Sequence, residues 1–169
     1  KTGIDLNGES KGIIFPLDKV GPLELATTSF GQGVSVTAMQ QVLAVSSIIN
    51  DGNMYTPYVM KSISERETGL IIKEIYPTLK KENLITKETS NLVKYALESV
   101  VANGSGHNAY IEGYRIGGKT GTAQKVGSDG RYMIGNYILS FIGFMPANDP
   151  EYIVYIGVDG AKGATQYGG

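Results

Sequence analysis

The 169-residue chain carries 15 Lys and Arg against 16 Asp and Glu, which gives a formal net charge of −1 at pH 7. This balance argues against a protein that binds nucleic acid through its phosphates, and it offers no basic cluster for an anionic lipid surface. The chain has no cysteine, so disulfides and thiolate metal sites are excluded. No apolar run approaches the ~20 residues that cross a bilayer. With 41% hydrophobic residues, the composition is that of one folded domain over residues 1–169.

Residues 1–35 are dense in glycine and proline, which predicts ordered loop rather than helix or strand. The pattern changes at Thr37, because Thr37 and Gln40 have the spacing of a capping box, in which each side chain satisfies a backbone N–H. Apolar residues at helical spacing follow, and Asn50 and Gly52 close the run. The sequence therefore predicts a helix between the capping box and Asn50.

Two short runs rich in β-formers, 58–63 and 70–76, flank a polar segment and predict a hairpin. A second helix is predicted from about Thr86, with Glu88 in the first turn, where the helix dipole favours an acid. Apolar residues recur every four positions along it, until Asn103–Gly104 ends the pattern.

Three extended segments are predicted in the last third of the chain, at 114–126, 137–145 and 151–159. The last two are joined by "PANDP", whose composition predicts a tight turn, so we expect them to be antiparallel neighbours. The predicted fold class is α+β, an antiparallel sheet with helices packed on it.

The stretch "GYRIGGKTGTAQ" fits two catalytic patterns, and the first is a phosphate-binding P-loop formed by Gly113–Thr120. The apolar run that ends at Asp159 would supply the magnesium ligand that such a site needs. A P-loop also needs a buried strand before it and a helix after it. The ten residues after Thr120 include three glycines, each costing roughly 1 kcal/mol in a helix interior. This context argues against a P-loop, which remains the alternative interpretation.

The second pattern is the K-T-G element of penicillin-interacting serine enzymes, Lys119-Thr120-Gly121, which requires an extended edge strand. Thr120 and Thr122 are β-branched, and Gly121 allows another backbone to lie close. The Lys119 cation and two hydroxyls suit a carboxylate, and a backbone N–H on such a strand can help to form an oxyanion hole. Alternation alone does not exclude the alternative that this is an ordinary exposed strand. It puts Lys119 and Gly121 on one face of the strand and the two threonines on the other.

The residues "GKTGTAQ" (118–124) resemble the third active-site motif of penicillin-binding protein transpeptidase domains, particularly the class B kind. Residues 1–10 are similar to the loop that follows the S-x-N motif of that family. Residues 29–52 resemble its "GQG…T-P-x-Q" helix, with Ala38 where proline is usual, and 140–159 resemble the strand pair after K-T-G. The resemblance is strongest to the sporulation and division members. It covers essentially the whole chain and implies an incomplete penicillin-binding/β-lactamase-like transpeptidase domain.

The resemblance implies a peptidoglycan D,D-transpeptidase, in which an S-x-x-K serine attacks the D-Ala-D-Ala end of a stem peptide and passes the acyl group to an amine. β-Lactams imitate that dipeptide and acylate the serine. Lys119 would be catalytic, serving proton relay and electrostatics. Thr120, Gly121 and Thr122 would form the substrate-binding set, with the threonines holding the substrate carboxylate and the Thr122 N–H contributing to the oxyanion hole. The resemblance implies no cofactor and no metal.

The sequence departs from the family pattern because it contains neither S-x-x-K nor S-x-N. Ser90 is followed by Lys94 four residues on, and Thr78-x-x-Lys81 has the spacing with the wrong nucleophile. The family places both motifs upstream of residues that match Lys1. We therefore expect a piece of a longer protein. The resemblance implies that this parent protein is membrane-anchored and that its transpeptidase domain lies outside the cytoplasmic membrane. Alone, the piece is expected to be inactive.

Two further questions concern the role of His107 and the nature of the parent protein. The single histidine, His107, is expected to be an exposed loop residue, because a metal site would need two or three more ligands nearby. The parent protein could also be a penicillin-binding-like module kept for sensing or scaffolding, if its serine nucleophile were lost.

Overall fold

The computed structural model describes residues 1–162, and the chain divides into two compact units, Lys1–Ile85 and Thr86–Gly169. Each unit combines helices with antiparallel strands. The predicted α+β fold class is therefore confirmed.

The first unit contains a helix that the sequence analysis did not anticipate. Residues 1–35 were expected to be loop throughout, yet a 3-10 turn spans Leu17–Lys19 and helix α1 spans Pro22–Thr28. Pro22 occupies the first helical position, where its fixed φ suits the helix and its missing N–H costs nothing. The Glu24 carboxylate accepts a hydrogen bond from the Gly21 N–H at 3.0 Å. The loop prediction is wrong for Pro22–Thr28, because proline breaks the interior of a helix but favours its first position.

Helix α2, Ala38–Ile49, begins with the predicted capping box. The Gln40 N–H donates to the Thr37 hydroxyl at 3.2 Å, and the Thr37 N–H donates to the Gln40 side-chain oxygen at 2.9 Å. Ser47 and Ile49 are buried at the end of the helix. The helix predicted from the sequence is therefore confirmed at both ends.

Two small antiparallel ladders complete the first unit. Strands β2 (Ser62–Ser64) and β3 (Ile71–Glu74) form the predicted hairpin, although both are shorter than the runs that predicted them. Strands β1 (Met54–Thr56) and β4 (Thr78–Lys81) also pair. The sequence does not signal β4, because all of its residues are exposed and it has no apolar face to reveal a strand.

Carboxylates fix the N-terminal loop of this unit where regular backbone pairing is sparse. Asp5 accepts hydrogen bonds from the Val59 and Met60 N–H groups at 2.8 and 2.9 Å. These two bonds lower the pKa of Asp5 from its ordinary value. Glu9 accepts from the backbone N–H and the hydroxyl of Thr2, a residue only 1% exposed.

The second unit is built from one long helix and one sheet. Helix α3 spans Lys87–Asn103, capped by the Thr86 hydroxyl, which accepts from the Thr89 N–H at 3.2 Å. Strands β5 (Gly117–Val126), β6 (Tyr132–Met145) and β7 (Tyr152–Asp159) form an antiparallel sheet in that order. All four elements were predicted. Helix α3 lies against β5, and between Thr86 and residue 162 the buried apolar residues are Val101, Ile142, Phe144 and Ala147.

Candidate active site on strand β5

The K-T-G residues lie in the middle of β5, in extended conformation. In register with β6, Lys119 pairs with Ile142, Thr120 with Phe141 and Gly121 with Ser140. Among residues 1–162, β5 has a strand neighbour on one side only, because the sheet order is β5-β6-β7. The predicted extended edge strand is therefore confirmed, and unpaired backbone groups along such an edge can bind a peptide ligand.

The P-loop interpretation of Gly113–Thr120 is wrong. A P-loop requires a helix to start at Thr120, and Thr120 instead belongs to a strand that continues to Val126. Asp159, the expected magnesium ligand, accepts two hydrogen bonds from the Lys125 ammonium, at 2.8 and 3.1 Å. That ion pair crosses the sheet from β5 to β7, so the Asp159 carboxylate has a cationic partner within the protein.

Glycines in β5 make room for side chains of the neighbouring strand. A Cβ added to Gly117 would collide with the Phe144 ring, and one added to Gly118 would collide with the Phe141 ring. At Gly121 a Cβ would lie 2.5 Å from the Ser140 hydroxyl oxygen. Within this chain that space is filled by a side chain, and the expectation that Gly121 lets another backbone lie close stays a prediction. The glycines therefore let these side chains of β6 lie over the face of β5.

The Lys119 side chain is exposed, and its ammonium donates to the Thr120 carbonyl oxygen at 2.8 Å. This bond holds the charge close to the backbone of the K-T-G element. Thr122 is also exposed and lies in register with Leu139. Strand β5 thus offers solvent a cation and a hydroxyl three residues apart.

Thr120 is half-buried, and its hydroxyl lies 3.1 Å from the hydroxyl of Ser105, a distance at which either oxygen can donate. Ser105 follows the end of α3 and precedes the site strand, 15 residues before Thr120. The sequence analysis missed Ser105. The only signal available was a serine between two glycines in the loop ahead of the K-T-G strand, which does not reveal the contact.

The loop that carries Ser105 is held by hydrogen bonds to the last turns of α3. The N–H groups of Gly104 and Gly106 both donate to the Val100 carbonyl, at 3.1 and 3.0 Å. His107 Nδ1 lies 3.2 Å from the Ala102 carbonyl oxygen, and its ring stacks on Tyr110 with centroids 5.5 Å apart. His107 is exposed, as predicted, and within residues 1–162 no group of three His, Asp or Glu could hold a metal ion.

An ion pair fixes the approach to β5. The Arg115 guanidinium donates from Nε and Nη2 to the two Glu98 carboxylate oxygens, at 2.7 and 2.8 Å. The hydrogen bonds from Arg115 lower the pKa of Glu98, and the same contact raises the pKa of Arg115. The Arg115 carbonyl accepts from the Ala147 N–H at 2.8 Å. The segment just before the K-T-G strand is thus tied both to α3 and to the β6–β7 turn.

An antiparallel sheet that exposes a K-T-G edge strand beside a long helix is the architecture of penicillin-interacting transpeptidases, the class that the sequence resembles. The chain belongs to the family of the penicillin-binding protein transpeptidase domain, whose family model matches residues 1–169. It is 59% identical over 169 residues to stage V sporulation protein D of Bacillus subtilis, which covers 100% of this chain and 26% of the relative.

Other relatives place the chain in the same family. It is 34% identical over 169 residues to the peptidoglycan D,D-transpeptidase FtsI of Escherichia coli, covering 99% of this chain and 26% of that protein. Among solved structures, penicillin-binding protein 3 of Mycobacterium tuberculosis in complex with ampicillin superposes with a TM-score of 0.85 at 31% identity. That superposition covers 95% of this chain and 36% of the solved chain.

The chain thus spans 26% of the length of these two curated relatives. Over the range 1–162 that the structure describes, no helix combines the length and apolarity needed for a membrane span.

Proposed function

We propose that this chain is part of the transpeptidase domain of a peptidoglycan D,D-transpeptidase and supplies its substrate-binding strand. The observation that carries the proposal is the extended edge strand β5, which presents Lys119 and Thr122 to solvent and carries half-buried Thr120 between them. The family match over residues 1–169 and the name of the Escherichia coli relative support the same reaction class.

In this proposal the K-T-G strand binds the acidic end of a stem peptide that terminates in D-Ala-D-Ala. The carboxylate accepts hydrogen bonds from the Thr120 and Thr122 hydroxyls, and Lys119 supplies the compensating charge. Hydrogen bonds to an ionised acceptor are roughly twice as strong as neutral ones, so these donors fix the peptide along β5. Gly121 keeps the strand free of a side chain between the two threonines.

The reaction joins two peptides through an acyl-serine intermediate. A serine hydroxyl oxygen attacks the carbonyl carbon of the penultimate D-Ala, and the terminal D-Ala leaves as the amine. The N–H of Thr122 donates to the oxygen that becomes negative in the tetrahedral intermediate. An amine of a neighbouring strand then attacks the acyl-serine and releases the enzyme. The sequence contains no S-x-x-K, so the serine comes from another part of the polypeptide.

β-Lactams are proposed as ligands of the same strand, because their carboxylate and strained amide imitate the peptide end. The solved relative from Mycobacterium tuberculosis is complexed with ampicillin, which supports this proposal. We place the domain on the extracytoplasmic face of the cell membrane, where peptidoglycan is assembled, with the anchor elsewhere in the parent protein.

A chimaera tests this proposal. In it, the chain replaces the matching segment of stage V sporulation protein D, to which it is 59% identical. We expect a fluorescent penicillin to label the chimaera covalently. The Lys119→Ala variant is expected to acylate about 10²- to 10⁴-fold more slowly, the range for loss of a positioned proton-transfer group.

The matched control is Lys125→Ala, which removes a lysine from the same strand outside the K-T-G element. We expect this variant to acylate at close to the rate of the parent chimaera. A folded chimaera without any label, or equal rates for both lysine variants, would contradict the proposed function.

A further inference from the structure

We propose that Ser105 is a positioning residue for Thr120. The two hydroxyls form a hydrogen-bonded relay, and the bound substrate carboxylate determines which hydroxyl donates and which accepts. The inference rests on the proposed function and deepens it. The contact that carries it is the 3.1 Å distance between the Ser105 and Thr120 hydroxyl oxygens.

The relay follows from counting protons. Each hydroxyl has one proton to donate and two lone pairs that accept. In the free site either oxygen can donate to the other, so the Thr120 proton is committed in one of the two arrangements. A carboxylate only accepts hydrogen bonds. Carboxylate binding therefore selects the arrangement in which Ser105 donates to Thr120 and Thr120 donates to the ligand.

This arrangement strengthens the bond to the ligand in two ways. The Ser105 hydroxyl fills a lone pair of Thr120, and hydrogen bonds in a chain polarise one another, which makes the Thr120 hydroxyl a better donor. Thr120 is half-buried, so water competes less for its oxygen than at an open surface. Ser105 thus replaces the water that would otherwise orient the threonine hydroxyl.

Ser105 is held in place before any ligand arrives. Its neighbours Gly104 and Gly106 both donate to the Val100 carbonyl, and the His107 N–H donates to the Gly104 carbonyl at 3.2 Å. Gly106 is buried, and a Cβ there would lie 3.2 Å from the Val100 carbonyl oxygen. The loop therefore packs closely against the end of α3 beside Ser105.

The experiment compares Ser105→Ala with Ser105→Thr in the chimaera, using a penicillin with a free carboxylate and its methyl ester. We expect Ser105→Ala to lower the second-order acylation rate about five- to tenfold for the acid, the worth of one hydrogen bond. The ester rate is expected to change less than about twofold, because the ester carries no charge for Thr120 to meet. Ser105→Thr retains a hydroxyl and is expected to restore most of the loss.

Two further variants separate the relay from a structural effect. Ser128→Ala removes an exposed serine from the β5–β6 turn and is expected to change neither rate. Combining Ser105→Ala with Thr120→Val is expected to cost little more than Thr120→Val alone, since the two hydroxyls act as a unit.

An equal loss for acid and ester, or additive losses in the double variant, would overturn the relay while leaving the proposed function intact. An unlabelled parent chimaera would overturn both.

Discussion

Glu9 anchors the N-terminal loop through hydrogen bonds from the backbone and hydroxyl of Thr2 and from the Gly3 N–H. These bonds, the Thr2 hydroxyl first, lower the pKa of Glu9 from an ordinary 4.5 to about 2. Because the folded-state pKa is the lower one, the contribution to stability is complete above pH 4.5. It is lost progressively as pH falls from there towards 2.

We expect Glu9→Gln to reduce the dependence of the unfolding midpoint on pH between 4.5 and 2, where protonation of Glu9 acts. Thermal or urea unfolding at intervals across that window measures the effect. Glu67→Gln, in the exposed β2–β3 turn, is the matched control for loss of one carboxylate. Identical pH profiles for the parent chain and Glu9→Gln would contradict the prediction.

At the scale of elements, β5 depends on glycines that admit the aromatic side chains of β6. A Cβ added to Gly118 would collide with the Phe141 ring and would lie 2.9 Å from the Ile142 carbonyl oxygen. We expect Gly118→Ala to destabilise the chain by about 1–3 kcal/mol, the usual cost of overpacking. Urea denaturation measures the free energy of unfolding.

The double variant Gly118→Ala with Phe141→Leu tests the cause of that loss. A smaller side chain at Phe141 opens part of the space that the new methyl group needs. We expect the double variant to lose less than the sum of the two single variants, because the two positions share one contact. Strict additivity would mean that the collision with the ring is not what destabilises Gly118→Ala.

Elements with a strong local signal are the ones that sequence predicts. The capping box at Thr37 and the four-residue repeat of α3 specify their helices, and strands β6 and β7 are long and largely apolar. Helix α1 was missed because Pro22 lies among glycines that together also favour loop, and strand β4 has no apolar face because it is wholly exposed. The Ser105–Thr120 contact depends on how a glycine-rich loop folds back, which no local pattern encodes.

At the scale of the whole molecule, a run of apolar side chains remains exposed on β7. Val154, Ile156 and Val158 share one face of the strand by alternation and are 56%, 56% and 47% exposed. Exposed apolar strands favour association between copies. We expect the isolated chain to self-associate, with a mass by light scattering that rises with concentration.

Lysine substitutions on that face test which surface is responsible. Val154→Lys and Ile156→Lys together are expected to shift the chain towards the monomer. Tyr95→Lys, at a 70% exposed position on α3, is the matched control and is expected to leave the association unchanged. A monomeric mass for the parent chain at high concentration would contradict the prediction.

The isolated chain also lacks the chemistry needed for acylation, although it carries the K-T-G strand. An acyl-enzyme needs an exposed nucleophile beside a base, and the sequence has no S-x-x-K. Its nearest approximation, Ser90 with Lys94, lies on one side of α3, and the two residues are 0% and 8% exposed, so a penicillin cannot reach the hydroxyl. Thr78, of the sequence Thr78-x-x-Lys81, is exposed on β4, where it pairs with Thr56 of β1. It is a threonine, whereas the S-x-x-K motif requires a serine as the nucleophile.

We therefore expect that a fluorescent penicillin leaves no covalent label on the isolated chain, while the chimaera that supplies a serine is labelled under the same conditions. Gel fluorescence and intact-mass spectrometry measure the two outcomes. Ser90→Ala is expected to give the same blank result as the parent chain. A stoichiometric adduct on any residue of the isolated chain would contradict this prediction, because it would show that the chain carries a nucleophile of its own and needs no S-x-x-K serine for acylation.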